Sequence, residues 1–90
     1  MFAYQSIQPA AQSQLDLYKD SDLHLYFTFK RYITEIIDGQ PPRNARQYQS
    51  SRGGYIHYYP FHLSSTDTTQ YYIAWVFGDK GPNILNLGKI

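Results

Sequence analysis

Apolar positions along the chain change period several times, and each change marks an element. In "FAYQSI", Phe2, Tyr4 and Ser6 alternate with Ala3, Gln5 and Ile7, a period of two that predicts a short first strand. In "IQPAAQSQLDLYK" the period lengthens. Pro9 suits the first turn of a helix, where its missing N–H is no loss, and Ala11, Leu15 and Tyr18 fall on one face. A second helix is predicted in "KDSDLHLYFTFKRYITEIIDGQPP": Asp20 or Ser21 caps its start, and Leu25, Phe29, Ile33 and Ile36 form its apolar stripe. Gly39 and Pro41-Pro42 stop it.

Beyond a polar stretch, "YIHYYPFHL" and "QYYIAWVF" are rich in β-branched and aromatic residues and flank the turn "SSTDTT", so they read as a hairpin. In the second of these strands Tyr71, Ile73, Trp75 and Phe77 share one face, while Tyr72, Ala74 and Val76 share the other. Both faces are apolar enough for a central strand. Pro60 places the first strand at an edge or at a bulge, because proline cannot donate to a ladder. "GDKGPN" then turns the chain and "ILNLGKI" supplies a last strand. The predicted order is β-α-α-β-β-β, an α+β domain spanning residues 1–90. Two N-terminal helices cover one face of a small, curled antiparallel sheet.

Composition narrows the class. Ninety residues support one core only, and the ten Tyr, five Phe and one Trp are first of all a way to bury area with few side chains. With no cysteine there is neither a disulfide framework nor a thiolate metal site, and no segment reaches the ~20 apolar residues that span a bilayer. A cytoplasmic protein without a membrane segment is the expectation. The net charge of +1 does not by itself argue for a polyanionic partner. Its distribution is uneven, however: from Pro41 to Arg52, "PPRNARQYQSSR" carries three arginines and no acid, and it reads as a modest basic loop.

Enzyme signatures are sparse, with no nucleophile elbow, Walker loop, HExxH or dinucleotide fingerprint. His57 and His62 lie five positions apart, so on a regular strand they point to opposite faces and share a metal only if Pro60 introduces a bulge. No metal or other cofactor is expected. His24 falls near a helix start, on the surface, and Arg31 and Glu35 form a solvated i,i+4 pair. In "YIHYYPFH" the histidines and the rings between them are not needed for burial. A site would lie there.

The order β-α-α-β-β-β, with "FKRYITEIIDGQPP", "GGYIHYYPFHL" and "YYIAWVFGDKGPNILNLGKI", resembles the RelE/ParE superfamily of bacterial toxins over nearly the whole chain. The resemblance implies the toxin of a toxin-antitoxin system, a metal-independent mRNA interferase that cuts message on the ribosome. Its partners would be a cognate antitoxin, the ribosome and mRNA. Carried onto these positions, it makes His57 the general base or acid, with His62 as a second catalytic residue. Arg52 would steady the scissile phosphate, Arg43 and Arg46 would contact flanking RNA, and Tyr55, Tyr59 or Tyr72 would stack a splayed base.

Two departures accompany the resemblance. Tyr71 and Tyr72 stand where the superfamily carries an arginine, and the chain ends at Ile90, where active members carry a His or Tyr just beyond the glycine. They point to a truncated or inactive toxin. The alternative is a non-enzymatic interaction module, such as a phage or plasmid accessory protein or inhibitor, that binds a protein through its tyrosine-rich sheet.

Overall fold

The structure, a computed structural model, describes residues 7–51, 54–78 and 81–90. Its elements are α1 (Pro9–Ser21), α2 (Leu23–Ile37), β1 (Arg46–Gln49), β2 (Tyr55–Phe61), β3 (Tyr71–Gly78) and β4 (Gly81–Lys89). The strands form one antiparallel sheet in the order β1-β2-β3-β4. The fold is therefore α+β, with two helices beside a four-stranded antiparallel meander.

Both helices form for the reasons their sequences suggest. Pro9 opens α1, and Ala11 and Leu15 are its buried stripe. The break between the helices is one residue long. Asp22, rather than Asp20 or Ser21, caps α2, its carboxylate accepting from the Leu25 N–H at 3.2 Å. At the other end Gly39 takes φ +83°, and the Gly39 and Gln40 amides donate back to Ile36 and Glu35. This is a Schellman closure, which needs a residue free to enter the left-handed region. Leu25, Phe29, Ile33 and Ile36 point into the core as expected.

The first strand expected at Phe2–Ile7 lies outside the described residues except for Ile7. Ile7 forms a parallel bridge with Ile84, and the Gln8 N–H donates to the Ile84 carbonyl at 2.8 Å. The stretch expected to be only a basic loop contains a strand, since Arg46–Gln49 pairs with Tyr55–Tyr58. All four of its residues are exposed, so the strand carries no alternating apolar signal. Backbone pairing makes it, not burial.

β3 is central, as its two apolar faces suggested, and Pro60 marks an edge rather than a bulge. The β2–β3 register runs unshifted through Pro60↔Tyr72, whereas β1 reaches only as far as Tyr58. Beyond Tyr58 the outer side of β2 has no neighbouring strand among the described residues, so proline's missing donor costs nothing there. The irregularity lies instead between β3 and β4: Ala74 pairs with Asn86 and Trp75 with Ile84, leaving Leu85 as the extra residue. That bulge turns both Ile84 and Leu87 inward, although residues three apart on a regular strand would face opposite ways.

The core lies between helices and sheet: Leu15, Leu25, Phe29 and Ile36 against Phe61, Ile73, Trp75, Ile84 and Leu87. Phe29 is its hub, edge-on to Phe61 at 5.4 Å and stacked on Tyr18 at 5.6 Å. Phe61 corrects the expectation that the rings of "YIHYYPFH" are free of burial, because it is 5% exposed and touches Phe29, Tyr32, Tyr59 and Tyr71. Phe77 corrects the expectation for β3 in the opposite sense. It is 55% exposed, because the buried stripe of β3 ends at Trp75.

Candidate functional site

Directly opposed residues of neighbouring strands share a face, and successive residues alternate. His57 opposes Gln47 and Trp75, so Gln47, His57 and Trp75 lie on the side that carries the helices. Tyr58 opposes Arg46 and Ala74, and Pro60 opposes Tyr72, so Arg46, Tyr58, Ala74 and Tyr72 lie on the other, outer side. The sheet thus divides the expected site residues between two surfaces.

On the helix side, His57 is half-buried. Its ring stacks on Trp75 at 5.7 Å and 15°, and it meets the Phe77 edge at 5.0 Å. Tyr55, on the same face, is 55% exposed. Among the described residues no hydrogen-bond partner or carboxylate orients the imidazole, the feature that fixes a catalytic histidine's tautomer. Trp75 is 1% exposed, and its Nε1 is buried without a hydrogen-bond partner among the described residues. That orphaned donor costs stability.

His62 follows directly on β2, five residues past His57 and so roughly 16 Å along the strand at about 3.3 Å per residue. Its Nδ1 donates to the Thr69 carbonyl at 2.8 Å, closing the base of the hairpin loop, in which the Asp67 carboxylate accepts from the Thr69 N–H at 2.9 Å. The two histidines do not converge. Arg52, the expected phosphate contact, lies outside the described residues. Arg43 is exposed in the segment between α2 and β1. Among the described residues no three His, Cys, Asp or Glu side chains gather as a metal site.

The outer side is a sheet of rings. Arg46 Nη1 donates to the Tyr58 hydroxyl at 3.4 Å with its guanidinium 6.0 Å from that ring's centre, and Tyr48 meets Tyr58 edge-on at 5.9 Å. Ile56, Tyr58, Pro60, Tyr72, Ala74 and Val76 are each half-buried. The core packs on the opposite side of the sheet, and the Tyr18 hydroxyl of α1 comes near Tyr72 at the Gly88 end of this one. Tyr48 was missed because its strand read as a loop. The one cue to it was an aromatic residue between two glutamines.

Elsewhere, tyrosines serve the core. Burial first, then a hydrogen bond shared with Tyr32, raises the Tyr59 hydroxyl above its usual value and ties α2 to β2. Burial, then the nearby Tyr71 and Tyr72, raises Tyr18; burial and then Asp67 raise Tyr71. No helix among the described residues is long and apolar enough to cross a membrane. Compared with protein families, curated proteins and solved structures, the chain shows no match to any of them.

Proposed function

We propose that this chain is a small non-enzymatic interaction module that binds a protein partner through the outer face of its sheet. The observation that carries the reading is the run of Tyr48, Tyr58 and Tyr72 with Ile56, Ala74 and Val76 on the side of the sheet opposite the core, none of them fully buried. Tyrosine joins a large rigid area to a polar tip, a combination enriched in contacts that carry binding energy. Arg46, held against Tyr58, adds a charge-assisted donor at its margin. His57 lies within β2 beside exposed rings, whereas His62 lies just beyond the end of β2 and turns to the Thr69 carbonyl.

Partner capture with purified protein tests the reading. A protein retained by the native chain and by a Tyr55→Ala, His57→Ala variant, and lost with Tyr58→Ala, Tyr72→Ala, meets the expectation. Retention by the outer-face variant at native strength contradicts it. A second reading, a toxin resembling ribosome-dependent mRNA endonucleases, draws on the helix pair beside an antiparallel sheet and on a histidine in β2. It requires Arg52 and His57 to act together on a phosphodiester, and arrest of growth on induction is its signature.

A further inference from the structure

The two edges of the sheet are finished differently. At β4 the edge is engaged where Ile7 bridges Ile84 and the Gln8 amide donates to the Ile84 carbonyl. At β1 the sheet ends among the described residues: Arg46–Gln49 pairs with β2 in unbroken register, holds no proline, lysine or bulge, and is exposed throughout. Of the devices that usually blunt an edge strand it retains its shortness and one charge, Arg46, whose guanidinium is turned to the Tyr58 hydroxyl of β2.

The direction of its backbone groups follows from the turn. The Ser50 N–H donates to the Gly54 carbonyl at 3.0 Å, so position 50 points its main chain toward β2. Hydrogen-bonding direction alternates along an antiparallel ladder, so Tyr48 and Arg46 also point inward, while the amides and carbonyls of Gln47 and Gln49 point outward, away from the sheet.

We propose that this edge pairs with β1 of a second copy, antiparallel about a two-fold axis through Tyr48. In that register Gln47 of each copy opposes Gln49 of the other, and the outward groups of both residues exchange about four main-chain hydrogen bonds. Shifting the register by two residues either way puts Gln47 or Gln49 opposite its own copy and leaves the other without a β1 partner. The side chains agree with the same register. Gln47 and Gln49 are amides that supply donor and acceptor to each other on the helix side, and the two Tyr48 rings meet on the outer side beside the Tyr48–Tyr58 contact already present.

The two Arg46 residues would be offset by four residues, about 13 Å along the strand, which exceeds the ~8 Å screening length at physiological salt. Their repulsion does not forbid the pairing. The shared strand is short, so the association is weak and depends on concentration.

Sedimentation of the full chain from micromolar to millimolar concentration tests the proposal, with three sets of variants. The expected result is a reversible monomer–dimer equilibrium in the native protein. Gln47→Pro removes an outward amide without touching the β1–β2 ladder, so it should melt as the native chain does and stay monomeric. Tyr48→Lys and Tyr48→Glu should each weaken self-association and restore it when mixed, because this register alone sets position 48 against itself. Tyr72→Ala, on β3 and away from Tyr48, should leave the equilibrium unchanged, which separates this contact from the outer-face reading. A native chain that stays monomeric to millimolar concentration overturns the proposal. So does a folded Gln47→Pro variant that dimerises as the native chain does, or a Tyr48 mixture that gains nothing over its components.

Discussion

The two faces of the sheet use the same strands and a similar stock of large apolar side chains, yet they are finished in opposite ways. On the helix side Phe61, Ile73, Trp75, Ile84 and Leu87 are covered by α1 and α2 and almost wholly removed from water. On the outer side Tyr58, Tyr72 and Val76 stay half-buried. Full burial on the helix side specifies the fold, whereas rings with a hydroxyl tip on the outer side keep contact area available without forcing aggregation. The division also bears on chemistry. His57 sits on the helix side beside the exposed Phe77 and Tyr55, and Arg46 and Tyr72, the expected RNA contacts, sit on the outer side.

The comparison breaks most readily in the core. Phe29→Ala leaves a cavity where Tyr18, Phe61 and Tyr71 meet, and a loss of about 3–5 kcal/mol in denaturant unfolding is expected. Ile73→Ala follows at about 2–5 kcal/mol. Tyr58→Ala and Tyr72→Ala, on the half-buried outer face, should cost less than either core change. If they cost as much, the outer face belongs to the stability of the fold.

Trp75→Phe sharpens the contrast from inside. The smaller ring loses packing but also removes a donor whose burial costs about 1–3 kcal/mol, so stability should stay within about 1 kcal/mol of the native value. A loss as large as that of Ile73→Ala would mean that Nε1 is satisfied in solution. Gly39→Ala should cost about 1–2 kcal/mol by forcing a side chain to φ +83°. Asp22→Ala should cost about 1 kcal/mol through the lost cap, each read as a shift in the unfolding midpoint.

A smaller effect follows from pH. The hydroxyls of Tyr18, Tyr59 and Tyr71 hold their protons more tightly in the fold than in the unfolded chain, where they ionise near pH 10. Above about pH 10 the unfolded chain releases protons first, so this contribution to stability is intact below that pH and is lost as pH rises toward the folded values. Unfolding midpoints measured from pH 8 to 11 should be flat and then fall, and Tyr59→Phe should reduce the fall.

How much of this was legible in the sequence varied with how each residue is held. Helix stripes and the central strand β3 are set by periodic burial, so Leu25, Phe29, Ile33, Ile36, Ile73 and Trp75 announced themselves. Three features escaped because they rest on backbone geometry. β1 is a strand of exposed polar residues, the bulge at Leu85 changes which residues of β4 face inward, and helix coverage ends before Phe77. The candidate histidines could be named from their type and their separation from their five-residue spacing, but the Thr69 carbonyl that holds His62 could not, since it depends on how the hairpin loop closes.

Growth of a bacterium on induction of the 90-residue chain is the measurement that bears most directly on the central claim, that the protein acts by contact through its outer face. It would be scored beside an Arg52→Ala, His57→Ala variant and a Tyr58→Ala, Tyr72→Ala variant at equal soluble expression. The account predicts that no growth difference traces to Arg52 and His57. Arrest by the native chain that is abolished by the Arg52→Ala, His57→Ala change, and preserved in the outer-face variant, would contradict it and place the activity on the helix side.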